Sequence, residues 1–292
     1  MIRLAVRCSP ELADLVLAEL TVLAPNGVEE ERGPGYVEYA IYGGEGELPE
    51  LGQLDAVVGE GRIEVSSTEI PDDWADRWRD FHKPLLVGER LWLRPSWEPP
   101  RAGTVDVVVD PGQAFGTGAH PTTRLCLEYL IELAEAGEAT GPLTDLGCGS
   151  GVLAIAAMKL GWSPVSGYDH EAAAIEASAA NASINATQLH LDQMNLRESL
   201  PQLAPTVVAN MTSPILKAVA AQLPNLEEGK GVSRRNLQSV TEGHPLPLTT
   251  FVCSGILPPE LDEVSEAFGQ AGLTESDRRQ QGDWAALLLR RT

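Results

Sequence analysis

Leu143-Thr144-Asp145-Leu146-Gly147-Cys148-Gly149-Ser150-Gly151-Val152-Leu153 is a short apolar run closed by an acid, then glycine at every second position, then a helical pattern. Glycine has no Cβ, so positions 147, 149 and 151 let a strand turn sharply into a helix and let a ligand lie against the backbone. A second acid, Asp169, follows Gly147 by 22 positions, after a second strand-like run from Pro164 to Tyr168. A nucleotide-binding α/β unit places there the carboxylate that accepts hydrogen bonds from ribose hydroxyls. A dinucleotide fingerprint requires its third glycine three positions after the second, where this chain carries Val152. A plain structural turn is the alternative reading of the loop.

The 292 residues are 43% hydrophobic and 22% charged, which suits a globular chain of two domains or one large one. No run of about 18 apolar residues occurs, so no membrane span is expected. Arg3, Arg7 and Glu11 interrupt the apolar N-terminus, which reads as a strand and a helix and not as a signal peptide. Cys8, Cys126, Cys148 and Cys253 are scattered without a Cys-x-x-Cys pair, which argues against a metal site and a disulfide framework and suits a reducing cytoplasm. The net charge of −21 repels a phosphate backbone and favours a basic partner. Residues 1–60 alone hold 12 acids and 3 bases. The plainer account of the acidity is solubility.

Residues 2–8 alternate as a half-buried strand does, and Ser9-Pro10 then opens a helix striped by Leu12, Leu15, Val16, Leu20 and Leu23. Strands at 35–42 and 61–67, a helix at 47–58 and a short run at 28–31 complete a β-α-β-β-α-β order, the ferredoxin-like split motif, within residues 1–67. A linker, 68–100, follows, with Trp74, Trp78 and Phe81 on one helical face. From about residue 140 strand-like and helical runs alternate: 143–146, 151–160, 165–168, 171–185, 188–191, 206–210 and 214–223. That alternation predicts a parallel, doubly wound sheet. Asp145, Asp169 and Asn210 each end a strand-like run and should line one crevice. Residues 227–250 read as a surface loop, and a strand at 251–255, a helix at 259–271 and a strand at 284–290 close the chain.

Asp110-Pro111-Gly112-Gln113-Ala114-Phe115-Gly116-Thr117-Gly118-Ala119-His120-Pro121-Thr122-Thr123 precedes a helix. It reads either as a lid over a cofactor, with Thr123 as a hydrogen-bond donor, or as a helix cap and nothing more. Asp145 to Leu160, with its acid and Gly-x-Gly-x-Gly, resembles the cofactor loop of methyltransferases that use S-adenosylmethionine. Together with Asp110 to Thr123, Val207-Val208-Ala209-Asn210, Ser254-Gly255-Ile256-Leu257 and the tryptophan-bearing linker, it resembles the PrmA family, methyltransferases of protein 11 of the large ribosomal subunit. The resemblance implies an N-terminal ferredoxin-like domain (1–67) that recognises the ribosomal protein, a linker (68–100), and a seven-strand Rossmann-like methyltransferase domain (101–292). It implies S-adenosylmethionine as cofactor, held at Thr123, Gly147, Asp169 and Asn210. It also implies amine nitrogens, lysine side chains among them, as acceptors. The chain departs from the family after Asp169, where His170-Glu171-Ala172 replaces an apolar residue and Asp-Pro, and in the length of 227–250.

Methyl transfer needs a nucleophile aligned with an activated carbon, and a lysine amine must first lose its proton. Asn210 is the candidate for positioning, and His120 for assisting. Met211-Thr212-Ser213 lacks the prolines and the aromatic ring of Asn-Pro-Pro-Tyr, which favours an aliphatic amine over a planar nitrogen. The expected cofactor set is Thr123, Asp145, Gly147, Gly149, Gly151, Asp169 and Asn210, with no metal, and Asp145 is expected to order the glycine loop. The expected protein is cytoplasmic and monomeric, and contacts neither nucleic acid nor membrane. Rival readings are lysine methylation of another protein and a non-catalytic, cofactor-binding ribosome-associated protein.

Overall fold

The computed structural model describes residues 2–13, 16, 17, 20, 29–43, 63–69, 83–110, 120–227 and 247–291. The expected helix at 47–58, the Trp74-Trp78-Phe81 face, the body of the 110–123 segment and most of 227–250 lie outside them. The chain divides into two compact units, Met1–His82 and Lys83–Thr292.

In the first unit β1 (Ile2–Cys8), β2 (Glu29–Gly33), β3 (Tyr36–Gly43) and β4 (Ile63–Glu69) form an antiparallel sheet in the order β2-β3-β1-β4. Period-two alternation sorts the residues onto two faces. Val6, Cys8, Val37, Tyr39 and Ile41 meet Leu12, Val16 and Leu20 in a small core. On the opposite face Arg3 and Arg7 both bond the Glu38 carboxylate, at 2.8 and 2.9 Å. The hydrogen bond from Arg3 foremost, then that from Arg7 and the two charges, hold Glu38 below the usual carboxylate range. Ser9 precedes the short 3-10 turn Pro10–Leu12, but its side chain makes no capping bond.

The second unit opens with β5 (Leu85–Val87), β6 (Leu91–Arg94) and β7 (Val105–Val108), a three-stranded sheet in that order. Thus two strands that the sequence allots to the linker share a sheet with a strand allotted to the following domain. Next come α1 (Pro121–Glu135), β8 (Leu143–Leu146), α2 (Val152–Leu160), β9 (Val165–Asp169), α3 (Ala172–Ile184), β10 (Leu189–Gln193), β11 (Thr206–Asn210), α4 (Ser213–Glu227), β12 (Thr250–Ile256), α5 (Leu261–Gln270), β13 (Leu273–Gln281) and β14 (Trp284–Arg291). The last seven strands form one sheet in the order β10-β9-β8-β11-β12-β14-β13. β10 through β12 run parallel, and β14 is antiparallel to both of its neighbours. Val208 and Val252 face the core under α1 and α2, while Val207, Phe251 and Cys253 face the core under α4 and α5. The order reverses between β8 and β11, and a crevice opens where connections diverge in this way.

β13 is absent from the sequence reading, which carries only the terminal strand in this region. Its residues after Leu273 are Thr-Glu-Ser-Asp-Arg-Arg-Gln-Gln, poor in β-branched and aromatic side chains. The strand nevertheless alternates in burial, and it lies at the sheet edge, where charged side chains are tolerated and discourage pairing with another chain.

Asn185, just after α3, joins the three-stranded sheet to the rest of the second unit. Its Oδ1 accepts the Val108 amide (2.9 Å) and its Nδ2 donates to the Val108 carbonyl (2.6 Å), so the side chain stands in for a missing strand neighbour. The Lys159 ammonium donates to the same Oδ1 (2.8 Å) and to the Asp106 carbonyl (2.5 Å). Asn185→Ala strips a buried N–H and a buried C=O of their partner and is expected to cost about 2 kcal/mol or more in urea unfolding. A loss below about 0.5 kcal/mol would show that water replaces the amide at no cost.

Candidate functional site

A crevice of about 520 Å³ lies at the carboxyl ends of β8, β9 and β11. The turn after β8 forms its floor. Gly147 and Gly149 have φ of +73° and +53°, and the amides of Gly147 and Cys148 both donate to the Tyr168 carbonyl, at 2.8 and 3.0 Å. This ties the tip of β8 to the tip of β9. The Gly149 amide donates to Asp169 Oδ2 (3.0 Å), and the Glu171 amide donates to Oδ1 (3.1 Å). Asp169 is thus oriented by one backbone N–H on each oxygen while lining the crevice. His170 Nδ1 lies 3.2 Å from its Oδ1.

Asn210, at the end of β11, donates from Nδ2 to Thr123 Oγ1 (3.1 Å), and both residues line the crevice. Thr123 acts as an acceptor in this pair, where the sequence reading expects a donor. His120 caps α1: Nδ1 accepts the Thr122 amide (3.4 Å) and lies 2.8 Å from Thr122 Oγ1. Its ring meets the Trp284 indole edge to face, with centroids 5.1 Å apart. Burial lowers the imidazole pKa and favours the neutral ring.

Gly147, Gly149, Asp169, Thr123, Asn210 and His120 therefore share one cavity. Asp145 and Gly151 do not line it. Asp145 is an interior position of β8, completely buried, and its Oδ2 accepts the Ala154 amide (3.1 Å), which anchors α2 on the strand. The expectation that it shares the crevice with Asp169 and Asn210 fails because Asp145 pairs with Gly167 and Val208, two residues back from those side chains along their strands. Among the described residues Asp145 Oδ1 has no hydrogen-bond partner. Burial pushes its carboxyl up to about 7; the Ala154 amide opposes this and the Asp169 charge adds to it. Gly151 (φ +79°) begins α2 and packs on Ser178, whose Oγ would lie 2.9 Å from an added Cβ.

Trp284, Met211 and Gly255 also line the crevice and are missing from the sequence-derived set. Gly255 has a detectable signal, since an isolated glycine inside a strand pattern marks a bulge or a close backbone approach. Both hold here: the β12–β14 register shifts between Ser254 and Ile256, and a Cβ at 255 would lie 2.4 Å from the Met211 carbonyl oxygen. Trp284 carries no local pattern that separates it from a core tryptophan.

Residues 43–234 match the model of the ribosomal protein L11 methyltransferase family, PrmA. The chain belongs to this family. It is 33% identical over 246 residues to the ribosomal protein L11 methyltransferase of Caldanaerobacter subterraneus subsp. tengcongensis, covering 83% of this chain and 72% of the relative. The corresponding Pseudomonas fluorescens protein is 40% identical over 233 residues, 78% of this chain and 72% of that one. The crystal structure of ribosomal protein L11 methylase from Lactobacillus delbrueckii subsp. bulgaricus superposes with a TM-score of 0.57 at 25% identity, over 72% of this chain and 99% of that chain. The large unit therefore has the α/β fold of methyltransferases, built on a mixed central sheet. The match to the L11 methyltransferase family contains Thr123, the glycine turn, Asp169 and Asn210, whereas Gly255 and Trp284 lie beyond it.

Two outcomes follow from this geometry. Asp145 has a folded pKa of about 7 against an ordinary 3.8, so the stability tied to its neutral form is full below about pH 4 and is lost as pH rises through 7. Asp145→Asn carries no such charge. Its stability relative to wild type should rise by roughly 1.4 kcal/mol per pH unit within that window, measured by urea unfolding at several pH values. A pH-independent difference would refute the assignment. Alanine at 147 meets the movable end of Met211, at 2.8 Å from Cγ, whereas alanine at 255 meets its backbone. Gly255→Ala should therefore lower Tm more than Gly147→Ala, and adding Met211→Ala should restore part of the loss for the latter only. Equal losses with equal rescue would contradict this reading of the packing.

Proposed function

We propose that this chain transfers methyl groups from S-adenosylmethionine to amine nitrogens of ribosomal protein L11, lysine side chains foremost. The observation that carries the reading is the meeting of the glycine turn, the Asp169 carboxylate and the Asn210–Thr123 pair in one crevice at the switch point of the sheet. The donor set fits the cofactor. Each Asp169 oxygen uses one lone pair on a backbone amide, which leaves acceptor capacity for a pair of ribose hydroxyls. Gly149 lines the floor with backbone alone, and Met194, Leu196 and Ile215 offer apolar surface suited to a purine. Thr123 and Asn210 supply polar groups for the remaining zwitterionic end and for the acceptor.

When bound, the cofactor supplies a methyl group on a positively charged sulfur. The chain's own residues orient the acceptor and exclude water. A lysine brought into this crevice loses hydration, which favours its neutral, nucleophilic form. Asn210 positions the amine; a dedicated base is optional, and His120, with Nδ1 taken up by the Thr122 amide, offers Nε2 at the crevice wall to assist. Asp145 and Gly151 act indirectly, by fixing the start of α2.

Residues 1–67 act as a ferredoxin-like docking domain for the ribosomal protein, 68–100 as the linker and 101–292 as the catalytic domain. The order β2-β3-β1-β4 supports the first assignment, and the division between His82 and Lys83 falls within the linker. The buried free thiols suit the cytoplasm.

Incubation with labelled S-adenosylmethionine and a mixture of ribosomal proteins should label L11 on amine nitrogens, as read by mass spectrometry. Asp169→Ala should weaken cofactor binding about tenfold or more by calorimetry, because a charged acceptor of hydrogen bonds is lost. Label on another protein would redirect the assignment of substrate, and unchanged affinity would remove Asp169 from the cofactor site.

A further inference from the structure

Met211 is held in the crevice from both sides. Its amide donates to the Ser254 carbonyl (3.0 Å), and its own carbonyl lies against Gly255, where a Cβ would approach to 2.4 Å. Its thioether lies over the glycine turn, with Cγ and Sδ at 2.8 and 3.0 Å from the place a Cβ at 147 would take. The next turn is pinned as well: the Ser213 hydroxyl donates to Glu260 Oε2 (2.5 Å), which also accepts the Leu257 amide (3.2 Å). The backbone of the wedge cannot move, while its tip is an unbranched side chain with several rotatable bonds and no strong hydrogen-bonding group.

We propose that Met211 is a specificity-determining residue that sets how many methyl groups one acceptor nitrogen receives; this rests on the methyl-transfer reading above. At each round the nitrogen lone pair forms an N–C bond to the methyl carbon and the S–C bond breaks with its electrons retained by sulfur; while the nitrogen still carries hydrogen, an N–H proton then departs to restore the lone pair. The nitrogen thereby gains one methyl and loses one hydrogen-bond donor. A wall of fixed acceptors rejects that product, since the acceptors lose their donor. The Asn210 amide is already committed to Thr123 Oγ1. An adjoining surface that can yield to an added methyl is the Met211 thioether. A larger, stiffer side chain held on the same immovable backbone takes up that room.

The test uses the full-length protein, S-adenosylmethionine and unmodified L11, with methyl states counted by mass spectrometry at partial conversion. Met211→Phe should lower the ratio of the most to the least methylated product about tenfold, the discrimination that one methyl's misfit produces in a pocket. Met211→Ala should raise that ratio. Cofactor affinity of both variants, read by calorimetry, should stay near that of wild type. A ratio unchanged in both variants overturns the inference, and so does loss of cofactor binding in both, which would place Met211 in the cofactor cradle. If Met211→Phe does not fold, the direction of the Met211→Ala shift decides. A wild-type protein that binds cofactor yet methylates no amine defeats the functional reading and the inference together, unlike the first two outcomes, in which wild type methylates.

Discussion

The Gly149 amide reaches the Asp169 carboxylate at 3.0 Å because the backbone between β8 and α2 passes through left-handed conformations at 147, 149 and 151. Residues with a Cβ resist that path by about 1–2 kcal/mol each. The turn aims N–H groups at the tip of β9 and toward the N-terminus of α2, where the helix dipole already favours negative charge. The Tyr168 carbonyl and the Asp169 carboxylate attach to this one turn, and the Ala154–Asp145 bond spans it from α2 to β8. The position of the crevice floor, the orientation of Asp169 and the start of α2 therefore share a single cause. Met211 extends the constraint across the switch point, since its side chain occupies the volume that Gly147 lacks.

The parts of the fold legible from sequence are those in which local pattern and tertiary role agree. β8, α2, β9 and β11 combine strong apolar periodicity with glycine or an acid at their ends, and these cues mark a sheet with its ligand edge. β13 was hidden because its alternation is carried by burial and not by residue type: Glu275, Asp277 and Arg279 take the inward-leaning positions of an edge strand. Asp145 was misplaced for a related reason. Asp145 pairs with Gly167 and Val208, so it shares a face with Asp169 and Asn210 but lies two residues back from their row, and nothing in the sequence marks that offset. Trp284 was invisible as a site residue because its partner, His120, is distant in sequence and meets it only in the folded unit.

The strand that sequence could not show also holds the site in place. Arg279, on β13, forms two hydrogen bonds to the Glu132 carboxylate on α1 and lies 4.1 Å from the centre of the Tyr129 ring. Arg290, on β14, makes a similar two-point contact with Glu138 just beyond that helix. The other end of α1 carries His120 and Thr123 into the crevice. A guanidinium with two bonds in a plane fixes orientation as well as distance. The hairpin that delivers Trp284 to the crevice thus also sets the helix against which Trp284 packs, and errors in one would be carried into the other.

Those arginines also bear on the charge of the molecule. With 21 basic and 42 acidic side chains, each cation engaged by a carboxylate within the fold leaves an unmatched acid elsewhere. Arg3, Arg7, Arg94, Arg278, Arg279 and Arg290 are all engaged in this way. Edge strand β2 presents Glu29, Glu30 and Glu31 to solvent, which discourages strand pairing with another chain. The same exposure limits what these charges contribute to a complex: isolated surface pairs are worth about 0–1 kcal/mol and are screened within about 8 Å at physiological salt. A negative field of this kind raises the encounter rate of a lysine-rich partner far more than it holds the complex together. Under the proposed reading, speed of capture and number of methyls added are separate properties, the first belonging to net charge and the second to the few ångströms around Asn210 and Met211.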